Sequence, residues 1–261
     1  MTFRPEAHRA LALATLALCA SLWAAGCDDS GPPKNPFDKP ADAPKPLPPT
    51  SAAPPRQGPP DFEIDTVGPK VGFSRAVLEV RDGRQRLASD LAENKKYIEG
   101  QEVKLRVDRK AKLPWVNAYV DELGKLGATK ILIRTDTRKE FSSELYFKPE
   151  LKAGAAAPCS VVGMVMADYG TAIWKLGGGV AGKRGKGMAG PDLSMTSETI
   201  ERLGKACPES NLFFVSVAEG IDWGLAYDLA ASAKALTKIP FSDIVLLGET
   251  PVPGHKVTLR K

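Results

Sequence analysis

Val103-Lys104-Leu105-Arg106-Val107-Asp108, followed by Leu113-Pro114-Trp115 and then by Gly127-Ala128-Thr129-Lys130-Ile131-Leu132-Ile133, decides how the globular part of this chain reads. The first stretch alternates apolar and charged residues with a period of two, the mark of a half-buried strand. Pro114 suits the first turn of a helix, where its missing N–H costs nothing. Trp115, Tyr119, Leu123 and Leu126 then recur at helical spacing, and Gly127 closes the helix. Ile131-Leu132-Ile133 is the next strand. The unit is strand–helix–strand.

Outward from this centre the same grammar continues. Val77-Leu78-Glu79-Val80 reads as a strand and Asp82-Gly83 as a turn. Leu87, Leu91 and Ile98 suit a helix ending at Gly100, and Leu145-Tyr146-Phe147 reads as a short strand. Strands follow at Val161 to Met166 and Thr171 to Leu176. A helix carries Ile200, Leu203 and Ala206; then come a strand at Leu212 to Val215, a helix from Asp222 to Ala235 and a strand at Ile244 to Leu247. A shift of 108 positions lays Trp115-Val116-Asn117-Ala118-Tyr119 on Trp223-Gly224-Leu225-Ala226-Tyr227 and Val107 on Val215. A Trp-x-x-Ala-Tyr match at one offset from a strand indicates an internal repeat. The expectation is α+β: two tandem units, residues 61–150 and 151–261, each a small mixed sheet with two helices on one face.

The beginning of the chain is of another kind. Arg4 and Arg9 precede an apolar run from Ala10 to Ala25, and Ala24-Ala25-Gly26-Cys27 follows. Basic start, apolar core and small residues describe a secretory signal over residues 1–26. The run is short for a membrane span. Cysteine directly after the small residues resembles a bacterial lipoprotein lipobox, which implies Cys27 as the lipidated N-terminus; Asp28 and Asp29 then favour retention at the inner membrane. Twelve of the chain's 22 prolines lie between residues 28 and 60. With no apolar periodicity, residues 27–60 read as an extended tether with a reach of about 100 Å.

Four stretches carry a family resemblance. Val103 to Asp108, Leu113-Pro114-Trp115, Val120-Asp121-Glu122-Leu123 and Gly127 to Ile131 resemble the ExbD/TolR family: a strand ending in Asp, an aromatic residue opening a helix, an acidic turn of that helix, and a Gly before the last strand. The match covers residues 71–136. The second unit is a divergent copy, with Ser216 where Asp108 aligns. The resemblance implies a small periplasmic α+β domain working beside a proton-driven membrane motor. TolQ/ExbB-like and TonB/TolA-like proteins are the implied partners, and peptidoglycan a further ligand. Family members handle the proton with an Asp in a transmembrane helix, but Ala10 to Gly26 holds no acidic residue. Proton conduction is therefore not expected.

Composition narrows the rest. A net charge of +5 over 261 residues, with no dominant basic run, argues against nucleic acid. Two His and four Cys supply no metal-site spacing, and no Ser/His/Asp set assembles around His255. Neither a cofactor nor catalysis is expected. Gly177 to Lys183 fits GxxxxGK, yet Arg184 stands where Mg²⁺ would need Ser or Thr, so it reads as a loop before the next helix. Lys183, Arg184 and Lys186 on that loop, and Asp108, are candidate contacts for a partner or an anionic glycan. Cys159 and Cys207, left over in an exported chain, are candidates for a disulfide. The aromatic pairs Trp115/Tyr119 and Trp223/Tyr227 read as core. The leading expectation is a lipid-anchored binding or scaffold protein of the cell envelope, facing the periplasm and accessory to a TonB- or Tol-type machine. A peptidoglycan-binding module without a motor partner, and an envelope hydrolase using Asp108, stand as alternatives. The dimer state stays open.

Overall fold

Alternation along Glu102–Val107 (β4) survives in three dimensions: Val103, Leu105 and Val107 are buried while Glu102, Lys104 and Arg106 face out. Pro114 sits in the first turn of Leu113–Lys125 (α2), and Gly127, at φ 85°, takes the left-handed conformation that ends it. Lys130–Arg134 (β5) follows. The computed structural model describes residues 58–149, 151–152, 154–239 and 241–259. Cys27, the signal segment and most of the tether lie outside these residues.

Before β4 come Phe62–Ile64 (β1), Pro69–Val71 (β2), Ser74–Arg75 (β3) and Gly83–Glu93 (α1); after β5 comes Glu144–Lys148 (β6). The second half holds Val161–Val165 (β7), Thr171–Lys175 (β8), Gly182–Arg184 (β9), the small hairpin Lys186–Gly187 (β10) and Gly190–Pro191 (β11), Leu193–Lys205 (α3), Leu212–Val217 (β12), Trp223–Lys234 (α4) and Asp243–Leu246 (β13). The fold is mixed α+β, with four α-helices among the described residues and one large sheet of order β3-β2-β1-β4-β5-β6-β13-β12-β7-β8-β9.

Strand directions repeat. In the first half β2-β1-β4-β5 run antiparallel, parallel, parallel; in the second β8-β7-β12-β13 do the same. The two halves do not form separate small sheets, as the sequence suggested. Strand β6 pairs antiparallel with β5 and parallel with β13, and so closes an edge that each half would otherwise leave unpaired.

All four helices contribute to one continuous core cluster, which includes Leu87, Tyr119, Ile200 and Trp223. Trp115, Tyr119, Trp223 and Tyr227 are buried in it. The opposite face of the second half carries its own cluster around Trp174 and Phe214, with Leu259 against it and no helical residue in it. The closing segment covers that face, and Trp174 Nε1 donates to the His255 carbonyl at 3.0 Å.

Two local expectations need correction. Val77 to Val80 is no strand but a turn leading into α1, with Val77 and Val80 exposed. A Cβ on Gly83 would lie 1.9 Å from the Val77 carbonyl oxygen, so the chain folds back too tightly there to extend. The Gly177 to Lys183 loop is partly ordered as β9, since β8 offers an open edge to pair with.

Candidate functional site

Helices α2 and α4 begin beside each other. Neither N-cap, Lys112 or Asp222, makes a side-chain cap bond. The two caps lie antiparallel, and the first-turn N–H groups of α4 find acceptors across the junction: Trp223 to the Ala111 carbonyl at 2.8 Å and Gly224 to the Arg109 carbonyl at 2.7 Å. Orphan helix-terminal donors are thus satisfied between the halves. Two seams flank this junction, and each sets the C-terminal ends of parallel strands against the opposing helix.

The first seam, between β4 and β5 on one side and α4 on the other, is filled. Arg109 reaches Asp228 with both terminal nitrogens, at 3.0 and 2.9 Å, and donates to the Asp136 carbonyl at 2.7 Å. Thr137 Oγ1 donates to Asp228 at 2.6 Å, and Trp223 Nε1 to Thr135 at 2.8 Å. Asp228 is 1% exposed, and its hydrogen bonds raise the Arg109 guanidinium above its ordinary pKa. Gly224 makes room: a Cβ there would lie 2.9 Å from Arg109.

The second seam, between β12 and β13 on one side and α2 on the other, is open. The 108-residue shift puts Val217 where Arg109 stands and Val120 where Asp228 stands. Neither can span the gap, and a cleft of about 580 Å³ remains. Asn117 lines it from α2 and donates through Nδ2 to the Leu247 carbonyl at 2.7 Å, while its Oδ1 has no hydrogen-bond partner. Ser216, at the end of β12, likewise has an unpartnered buried hydroxyl. Glu219, Asp222 and Glu249 stand around the opening with Lys110 and Lys112. Lys112 is already engaged by Glu79 at 2.8 Å, and that contact holds the Glu79 carboxyl below its ordinary pKa. The cleft offers hydrogen-bond acceptors and carboxylates, and no histidine or cysteine lines it. Such a site can hold a polar or charged group.

A larger, shallower concavity of about 740 Å³ lies over the outer faces of β1, β4 and β5. Its four cations, Lys96, Lys104, Arg106 and Arg134, are matched by Asp61, Glu63, Glu102 and Glu144. It holds none of the unpartnered buried side-chain atoms found in the described residues, which points to the smaller cleft.

The residues singled out from sequence are dispersed. Asp108 is exposed after β4 and accepts from the Lys110 N–H at 2.8 Å, outside the cleft. Lys183 and Lys186 are exposed near the β9 edge, whereas Arg184 turns inward and donates to Thr199 at 3.3 Å. Cys159, just before β7, and Cys207, just after α3, are joined as a disulfide with Cα atoms 5.4 Å apart. Glu209 lies beside them, but bonded sulfurs offer no thiolate to a metal. Cys27 lies outside the described residues, and among those residues no helix is long and apolar enough to cross a membrane. Arg109, Asn117, Asp228 and Glu249 escaped the sequence reading. The 108-residue shift held the signal for the first two, since it sets Arg109 against Val217 and Asn117 against Leu225.

Compared with protein-family models, with curated proteins and with solved structures, the chain matches none.

Proposed function

We propose that the protein is a lipid-anchored, periplasm-facing binding or scaffold protein built from two tandem ExbD/TolR-like units and accessory to a TonB- or Tol-type envelope machine. The observation that carries this reading is the repeated order β-β-α-β-α-β, with the same strand order and directions in both halves and two helices of each half on one face. The resemblance of Val103 to Ile131 implies such a unit in its coarse form, two helices on one face of a mixed sheet. The lipobox-like Cys27 supplies the anchor, and the tether carries the folded body away from the bilayer. The open seam is where the body receives its partner. Recognition there needs only acceptors and shape, which fits a role without catalysis.

In-cell photo-crosslinking from position 219, at the mouth of the cleft, tests the reading. Capture of a TolQ/ExbB-like or TonB/TolA-like protein is expected. Capture of cell-wall glycan alone, or recovery of the protein from the cytosol, would overturn it.

A further inference from the structure

The two seams are one construction with different contents. Each has the C-terminal ends of two parallel strands, an opposing helix start, and a strand-end carbonyl that accepts a 2.7 Å bond: Asp136 from Arg109 in one, Leu247 from Asn117 in the other. In the filled seam the guanidinium of Arg109 lies between that carbonyl and the Asp228 carboxylate. In the open seam none of the described residues donates to Asn117 Oδ1 or takes that place.

We propose that the open cleft binds a guanidinium or primary ammonium group presented by a basic peptide segment, in the position that Arg109 fills in the other seam. Three independent features carry this. The first is the space: Val217 in place of Arg109 leaves a cleft of about 580 Å³, enough for a long cationic side chain and the backbone on either side. The second is an unmet acceptor: Asn117 is 8% exposed, lines the cleft, and keeps Oδ1 without a donor. A buried acceptor of this kind is costly unless something donates to it. The third is charge. Glu219, Asp222 and Glu249 make no ion pair among the described residues; Lys112 is spoken for by Glu79, and Lys110, the other lysine lining the cleft, offsets one of the three, so negative charge remains in excess. The start of α2 opposes a cation, as the start of α4 does at Arg109, and there a single carboxylate prevails. Arginine is the better fit, because its planar fork serves a carboxylate and an amide oxygen at once.

This inference shares with the functional reading only the premise that the cleft receives a ligand, and it requires no motor partner. The test titrates the full-length chain with the peptide acetyl-Gly-Gly-Arg-Gly-Gly-amide. The peptide with neutral citrulline in place of Arg, and inorganic phosphate, serve as comparisons. Saturable binding of the Arg peptide is expected, at least ~10-fold tighter than the citrulline peptide, given the loss of charge-assisted bonds. Glu219→Gln with Glu249→Gln should weaken it by a similar factor, while Glu198→Gln, on the exposed side of α3, leaves it unchanged. Val217→Arg should block the site from within; should that variant fail to fold, the Gln variants decide. Equal binding of the two peptides, binding indifferent to the Gln variants, or phosphate occupying the cleft would overturn the proposal. Partner capture in cells alongside any of those results would sink this inference and leave the functional reading standing.

Discussion

Arg109 and Asp228 lie 119 positions apart and tie the halves together through a carboxylate that water scarcely reaches. Removing Arg109 leaves the buried Asp228 carboxylate with Thr137 and the more distant Arg138 guanidinium, at 3.6 Å, and under-compensating a buried charge costs more than the pair itself contributes. Arg109→Leu is expected to lower unfolding stability in urea by about 3 kcal/mol. Asp228→Asn should lose less, because Thr137 and Arg109 can still bond the amide. A double variant no less stable than Arg109→Leu alone would mark the two as coupled; additive losses would refute the coupling. Asp65 offers a pH test. Arg75 grips it with both terminal nitrogens, and this holds the Asp65 carboxyl well below its ordinary pKa of 3.8. A depressed carboxyl stabilises the fold above its ordinary range, and that contribution fades as pH falls toward the folded-state value. The wild type should therefore exceed Asp65→Asn by about 1 kcal/mol at neutral pH, and the gap should shrink from about pH 5 to about pH 2. A constant gap across that range would contradict the assignment. Asn at 65 can still accept from the Val67 and Gly68 N–H groups, so the turn itself is spared.

At the scale of elements, β7 shows how tightly the second half is packed. Gly163 lies in the middle of this strand, and a Cβ there would stand 2.6 Å from Phe213 and 3.2 Å from both Ile173 and Leu229. None of the three has free space to move into, since all are fully buried. Gly163→Ala should cost about 2 kcal/mol in thermal or urea unfolding through overpacking, despite Ala's gentler backbone entropy. A neutral result would mean that the strand yields more easily than its neighbours imply. Elements also set the limit of what the sequence discloses. The strand at Val103 to Val107 and the helix behind Pro114 were legible because each carries its own periodicity over a full length. Phe62–Ile64 and Pro69–Val71 were not, being three residues each and too short to repeat a period. Val77 to Val80 misled for the opposite reason. Its apolar residues looked like a strand, but the close approach of Gly83 to the Val77 carbonyl bends the chain there, and that approach is a tertiary fact.

For the molecule as a whole, the disulfide between Cys159 and Cys207 closes a loop of 48 positions and fastens α3 to the start of β7. Such a closure restricts the unfolded chain and is worth about 4 kcal/mol. A reducing agent should lower the melting temperature of the wild type and leave a Cys159→Ser, Cys207→Ser variant unmoved. A wild-type melt indifferent to reductant would show that the bond contributes nothing. By itself the sequence determined the period of each long element, the order in which those elements recur, and the 108-residue offset that pairs the halves, because periodicity is a local property of neighbouring side chains. Only the tertiary structure decided that β6 would join both halves into one sheet, that Arg109 would find Asp228, and that the matching seam around Asn117 would stay open. Edge pairing, ion pairs and cavities depend on which distant residues meet, and no local pattern encodes that meeting.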